Sequence, residues 1–254
     1  MKLSFCITYK NRFAQIVKTL PKNISDNINL NTEIEFILVD FNSNDGLFEW
    51  IKSNFMNHIQ SGYLKYYYSE ELPYWECSKA KNRSHQLGSG KILVNLDCDN
   101  YTGKNGGQFV LKQFRNYGSN TILHQASGIS KDGSYGRISV LKTYFQMIGG
   151  YDESFSPMGY QDYDLIKRLK EFGLIYVCEN SNAYNKAIKN SKDEGLKFTN
   201  TDQSYSEMLN NNIKISNYNI FNGNLKTDNP ENKKSNIFRL HNDGKLLRIE
   251  EPDQ

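Results

Sequence analysis

Two carboxylates one residue apart, Asp97 and Asp99, close the apolar run Ile92-Leu93-Val94-Asn95-Leu96. On extended backbone, residues i and i+2 share a side, so both acids would point one way and Cys98 the other. Hard oxygen ligands on one side suit a divalent cation that keeps several waters and shares itself with phosphates. Asp and Asn are also ordinary turn residues, so the pattern by itself leaves a plain strand-to-loop turn open. A third acid, Asp162 in Gln161-Asp162, opens an amphipathic helical run. There it could accept a proton from a substrate or simply favour the helix start. Asp40 ends another apolar run, Ile34-Glu-Phe-Ile-Leu-Val-Asp40, and Lys81 and Arg83 supply cations on a third segment.

These residues need elements to hold them. Leu3–Tyr9 reads as a strand, and Arg12–Leu20 as a helix ended by Pro21. Ile34–Asp40 is a second strand, Leu47–Ile59 a helix, Tyr63–Ser69 a third strand, Cys77–Leu87 a helix and Lys91–Leu96 a fourth strand. This alternation predicts a doubly wound, mainly parallel α/β sheet flanked by helices. Right-handed crossovers then gather the strands' carboxyl ends on one edge, where such sheets bind ligands. Asp40 and Asp97 would face that crevice together. Asp45-Gly46 reads as a turn and helix cap. Farther on, Tyr163–Phe172 is a charged amphipathic helix ending at Gly173, and Leu174–Cys178 a short strand. From Glu179 the chain is rich in Asn, Lys and Ser, which predicts partial flexibility, with short ordered pieces at Ser235–Leu240 and Lys245–Ile249.

Composition narrows the classes. The 254 residues carry 31 basic and 28 acidic side chains, too even a balance to argue for nucleic acid. Cys6, Cys77, Cys98 and Cys178 form no CxxC pair; Cys6, Cys98 and Cys178 lie in or beside predicted strands, as reduced core residues would. No leader-like or membrane-spanning segment is evident, so the expected location is the cytoplasm, with peripheral contact at the inner membrane face left open.

Four blocks occur in order. They are Thr8-Tyr9-Lys10-Asn11-Arg12, then Val39-Asp40-Phe41-Asn42-Ser43-Asn44-Asp45-Gly46, and Ala80-Lys81-Asn82-Arg83 leading to Gly90…Asp97-Cys98-Asp99. The last runs from Gly149-Gly150-Tyr151-Asp152-Glu153 through Gly159-Tyr160-Gln161-Asp162-Tyr163-Asp164 to Arg168-Leu169. Together they resemble the family 2 glycosyltransferases of the GT-A fold with an Asp-x-Asp motif, the final block also resembling the galactosyl- and N-acetylgalactosaminyltransferase group. The likeness covers about residues 1–178. It implies a nucleotide-binding half to about residue 100, an acceptor and catalytic half over 101–178, and a C-terminal extension, 179–254, packed on the same domain.

The resemblance also implies roles. Asp99 would be the direct ligand of Mn²⁺ or Mg²⁺, and Asp97 would lie near the ribose and a metal-bound water. Thr8 and Tyr9 would lie against the base of a UDP-sugar donor, and Asp40 would contact uracil or ribose. Lys81 stands where relatives carry Arg, keeping a charge for the phosphates without the bidentate fork. Asp162 would be the base of an inverting transfer to a saccharide or lipid-linked saccharide acceptor, with Asp164 beside it able to exchange roles. Gln161 replaces the Glu of the family's Glu-Asp pair and removes a charge near the acceptor. Gly149 and Gly150 would let the backbone approach the donor sugar or form a turn, and Met158-Gly159-Tyr160 falls where relatives have an aromatic acceptor platform. His241 matches the His with which some relatives complete the metal sphere, although a lone His is as readily structural; Arg83 reads as a solvated helix charge. Donor transfer of a hexose or N-acetylhexosamine in surface polysaccharide synthesis is the expected activity. Two other classes stand beside it: a sugar-nucleotide nucleotidyltransferase, disfavoured by the Gly-free loop after the first strand, and a non-catalytic saccharide- or partner-binding protein.

Overall fold

The computed structural model describes residues 2–30, 32–126, 133–181, 183–230 and 236–249. Its first half is β1 (Leu3–Tyr9), α1 (Phe13–Asn27), β2 (Ile34–Phe41), α2 (Leu47–Gln60), β3 (Leu64–Ser69), α3 (Cys77–Leu87) and β4 (Ile92–Asn95). The second half is α4 (Gly106–Tyr117), β5 (Thr121–His124), β6 (Ile138–Leu141), α5 (Lys142–Met147), α6 (Gln161–Glu171), β7 (Ile175–Cys178), α7 (Lys192–Leu196), α8 (Tyr205–Phe221), β8 (Ile237–Leu240) and β9 (Leu246–Arg248). One sheet runs in the order β7-β5-β6-β4-β1-β2-β3-β8-β9. The four strands β4-β1-β2-β3 are parallel, and β6, β8 and β9 pair antiparallel to their neighbours.

Every residue of β1 and β2 is buried, as expected of strands covered on both faces. Alternation sends Leu3, Phe5, Ile7 and Tyr9 to one face, where α1, α2 and α4 bury Ile16, Leu20, Ile51, Phe55 and Phe114. Cys6 and Leu93 go to the other, against Phe145 of α5 and Leu165 and Leu169 of α6. Ile37, Val39 and Phe41 meet Ala80 of α3 on that same side. The sheet is doubly wound, and its order reverses between β1 and β4, which is where such folds open a ligand crevice.

Two expectations change. Pro21 does not end α1, which runs on to Asn27. The amide Pro21 lacks would have bonded the carbonyl of Val17, and the helix tolerates that loss because its second half has partners of its own. Ile24 is buried, Asn23 Nδ2 donates to the Asn100 carbonyl at 2.9 Å, and Asn27 Oδ1 accepts from Gly107 N at 2.8 Å. Cys178 is exposed, unlike buried Cys6, because it lies on β7, the edge strand of the sheet, most of whose residues are exposed. The Asp45-Gly46 pair does cap α2, through Gly46 at φ 89°, but the Asp45 side chain takes no part in the cap. Instead it accepts from Phe13 N of α1 at 3.1 Å and from the Tyr9 hydroxyl. The Asn-rich stretch also holds a helix that composition hid: α8 starts with a Ser204–Glu207 capping box. Of the C-terminal expectations, Asn182 and the run from Glu231 to Ser235 lie outside the described residues.

Candidate active site

A cavity of about 580 Å³ opens at the carboxyl ends of the parallel strands, lined among others by Thr8, Lys81, Asp97, Asp99 and Asp162. Asp97 and Asp99 reach it by a different route from the expected strand alternation. β4 stops at Asn95, and a turn closed by Asn100 N donating to the Asp97 carbonyl (2.9 Å) presents both acids, with Cys98 also on the wall. The helix α1 clamps this turn, since the Thr19 hydroxyl donates to the Cys98 carbonyl at 2.5 Å and Asn23 holds the Asn100 carbonyl.

Behind the acids stands Lys81. Its ammonium, almost wholly buried, donates to Asp162 Oδ1 at 2.6 Å and lies 3.5 Å from Asp97 Oδ1. Burial alone would lower its pKa, but Asp162 and then Asp97 outweigh that and hold it charged. Asp162 therefore spends an oxygen on Lys81 rather than on capping α6, whose N-cap is Tyr160 at φ 71° with no side-chain cap bond. Gly136 completes the arrangement. A Cβ there would sit 2.7 Å from Asp97 Oδ2 and 3.2 Å from both Asp162 Oδ2 and Lys81 Nζ. Only a residue without a side chain lets this strand of backbone pass so close. Sequence reading missed Gly136; the signal was one glycine between Tyr135 and Arg137, indistinguishable from a turn.

Asp99 accepts from Asn100 Nδ2 at 2.6 Å and from Asn190 Nδ2. Burial, with the charge of Asp97, still pushes its pKa up to about 6. A divalent cation would relieve both effects, so the pair fits one. Among the described residues no third His, Cys, Asp or Glu joins them. Water or the oxygens of a bound ligand would have to fill the remaining positions, as Mg²⁺-type sites allow.

The other candidates sort cleanly by place. His241 lies in the β8–β9 hairpin, its N–H donating to the Lys245 carbonyl, and β8 is four places from β4 in the sheet; the structure does not bring it to Asp99. Tyr9 and Asp40 are buried and do not line the cavity: the Tyr66 hydroxyl donates to Asp40 at 2.7 Å and Ser43 N at 3.1 Å. Asp164 does not stand in for Asp162, because it is fully buried and receives Arg168 Nε at 2.7 Å. Arg83 is no solvated charge: it is buried and grips Glu71 through Nε and Nη2 at 2.7 and 2.9 Å. Gly149 and Gly150 form the turn, both near φ 73°, and pack against Thr227 and Asn82 rather than the cavity. Met158, Gly159 and Tyr160 do line it, with the Tyr163 ring tilted against Tyr160 at 5.1 Å and stacked on Tyr135 at 6.2 Å.

The C-terminal segment supplies a wall that sequence reading did not anticipate. Ile188 N donates to the Asp99 carbonyl at 2.8 Å, Tyr101 N to the Lys186 carbonyl at 2.9 Å, and Trp75 N to the Phe198 carbonyl at 2.7 Å. Glu194 accepts from Arg12 at 2.6 Å, and Ile188, Asn190, Ser191, Gly195 and Phe198 face the cavity.

Neither a protein-family model nor a curated protein matches the sequence. Solved structures do match. S. aureus TarS 1-349 in complex with UDP-GlcNAc aligns with TM-score 0.65 at 15% identity, over 91% of this chain and 68% of that one. The fold is that of the GT-A glycosyltransferases. TarS 1-349 in complex with UDP gives 0.61 at 16% identity, over 82% and 68%. The mannosyltransferase PcManGT from Pyrobaculum calidifontis, in complex with GDP-Man and Mn²⁺, gives 0.58 at 13% identity, over 74% and 57%. At such identities the likeness is one of fold. No helix among the described residues is long and apolar enough to cross a membrane.

Proposed function

We propose that this chain is an inverting, metal-dependent glycosyltransferase that moves a hexose or N-acetylhexosamine from a UDP-sugar to a saccharide or lipid-linked saccharide acceptor. The observation that carries the reading is the convergence of Asp97, Asp99, Asp162 and Lys81 on one cavity at the switch point of a GT-A sheet. Asp99, with Asp97 beside it, would hold Mn²⁺ or Mg²⁺, which supplies charge neutralisation to the departing diphosphate. Asp162 takes the proton of the acceptor hydroxyl as that oxygen bonds to the anomeric carbon and the bond from that carbon to the diphosphate oxygen breaks. Lys81 fixes the Asp162 carboxylate in place. The tyrosine cluster of Tyr135, Tyr160 and Tyr163 gives the acceptor ring an apolar face, and the Ile188–Phe198 wall keeps water from competing for the donor. Synthesis of surface polysaccharide at the cytoplasmic face of a membrane is the setting that suits such a reaction.

Calorimetric titration of UDP with and without Mn²⁺ tests the donor site. Binding should require the metal and vanish in Asp99→Ala, while Asp162→Asn should bind UDP normally and lose transfer. Metal-independent binding, or full transfer by Asp162→Asn, would overturn these roles.

A further inference from the structure

Asp99 is held from two sides, and the two holds differ. Asn190, which lines the cavity, donates to Asp99 Oδ2. Asn100, buried and off the cavity wall, donates from Nδ2 to Asp99 Oδ1 at 2.6 Å. One carboxylate oxygen therefore faces the protein and the other faces the cavity. Oδ2 keeps a lone pair beside its bond from Asn190, which is enough to meet a cation. Asn100 by itself does not secure this orientation. A carboxamide has a donor end and an acceptor end and can present either.

Arg137 decides which end is presented. It stands one residue before β6, its backbone pinned by Gln125 N donating to its carbonyl at 2.9 Å. Its side chain is buried and does not reach the cavity. The guanidinium donates through Nη2 to Asn100 Oδ1 at 2.7 Å, and also to the carbonyls of Tyr184 and Lys186 on the returning segment. A guanidinium carries donors and no acceptor, so the Asn100 oxygen turns toward Arg137 and the amino group toward Asp99. The Gly133 carbonyl also accepts from that amino group, at 3.2 Å. Turning the carboxamide over would set two donors face to face in a buried site and place its oxygen against a carboxylate. The amide is locked.

The lock matters to a cation. A carboxylate that swings freely can close on a divalent ion with both oxygens and use up two of its positions. Held by Oδ1, Asp99 offers one oxygen and leaves the other positions to the diphosphate and water. We propose that Arg137 is a positioning residue for the metal site: through Asn100 it fixes Asp99 as a one-oxygen ligand. The assignment rests on the metal-dependent reading above.

A double-mutant cycle tests it, with UDP titrated by calorimetry at one fixed Mn²⁺ concentration. Asn100→Ala and Arg137→Met should each weaken UDP binding about tenfold or more, the usual cost of removing a group that orients a metal ligand. The double variant should be no weaker than the worse single one, because both changes release the same carboxylate. Electron paramagnetic resonance of the bound Mn²⁺, in water enriched in the magnetic oxygen isotope, should count one bound water fewer in the variants, since the released Asp99 closes with both oxygens. Asn100→Ala leaves Arg137 its two backbone carbonyls, so this variant keeps its fold. If Arg137→Met does not fold, Arg137→Lys, which keeps the charge without the planar fork, takes its place in the cycle. UDP binding by Asn100→Ala within about twofold of wild type, or an unchanged water count, would overturn the assignment and leave the transferase reading intact. So would losses that multiply in the double variant, which mark Arg137 as a brace for the returning segment alone. Absence of metal-dependent UDP binding by the wild type would overturn both readings together.

Discussion

Glu35 offers the sharpest quantitative test of how the sheet is held in register. It lies on β2 with no exposure, opposite Ser4 of β1. Its oxygens accept from Ser4 Oγ at 2.6 Å, Ser89 N at 2.7 Å and Lys65 Nζ at 2.8 Å, so one carboxylate joins β1, β3 and the turn into β4. Burial by itself would raise its pKa; Lys65, Ser4 and Ser89 outweigh burial and pull it from 4.5 to about 2. A depressed carboxylate contributes stability that is fully present above the unfolded value and is lost as pH falls through the folded one. The difference of about 2.5 units corresponds to about 3 kcal/mol at neutral pH, lost between roughly pH 4.5 and pH 2. Glu35→Gln keeps the shape and removes the charge. Its urea midpoint at pH 7 should fall by about 1 M, taking a denaturant slope near 3 kcal/mol per molar for a chain of this size. As pH drops toward 3 the wild-type carboxyl begins to take up its proton and the gap between the two proteins should narrow. UDP binding should be unchanged, because Glu35 lies at the opposite end of the strands from the cavity. A deficit equal at pH 3 and pH 7, or none at pH 7, would refute the reasoning.

Three further outcomes are expected. Gly136→Ala should keep its melting temperature within a few degrees, since that residue has no left-handed φ, yet lose metal-dependent UDP binding because the new Cβ meets Asp97 at 2.7 Å; calorimetry beside circular dichroism reads both. Arg168→Met strands a fully buried Asp164 and takes a donor from the Gly150 and Leu225 carbonyls (Ile148 keeps Thr227 N), a loss of about 3–5 kcal/mol, and adding Asp164→Asn should restore part of it in thermal unfolding. Asp99, with its pKa raised to about 6, takes up a proton as pH falls through that value, so Mn²⁺-dependent UDP binding should weaken about tenfold between pH 7 and pH 5. In metal-free protein the sign for stability is the reverse of Glu35: the contribution is present below the unfolded value near 3.8 and lost as pH rises through 6.

The winding of the sheet was legible because β1 to β4 are short apolar runs split by helices with a clear periodicity, and the Cys77–Leu87 bounds agree to the residue. What the sequence concealed is the burial of that same helix. Ser78, Lys81, Asn82, Arg83, Ser84 and His85 are all buried, a composition that reads as a solvated surface. Three of them are held inside by partners from other elements: Asp162 for Lys81, Glu71 for Arg83, and for Asn82 the backbone of Tyr151, which donates to its Oδ1 and accepts from its Nδ2, while Ser84 and His85 turn to the Lys81 carbonyl of their own helix. Periodicity reports local chemistry and is blind to such pairings. That Asp97, Asp99 and Asp162 would share one cavity was legible because carboxylates at strand and helix ends stand out, and Lys81 joins them from α3. Asn190 and Glu194 were not legible, being polar residues in a polar stretch whose significance comes only from where the chain returns.

That return has a consequence for how the protein is made. The turn bearing Asp99 borrows hydrogen bonds from Lys186, Ile188 and Asn190, about ninety positions downstream, and Arg12 finds its partner 182 residues away at Glu194. During synthesis the parallel strands can assemble as soon as β4 emerges, yet the cavity has no far wall until residue 198 has left the ribosome. A nascent chain therefore acquires its scaffold early and its pocket late. Ribosome-bound intermediates stalled before residue 186 should protect their sheet amides from exchange while retaining no nucleotide.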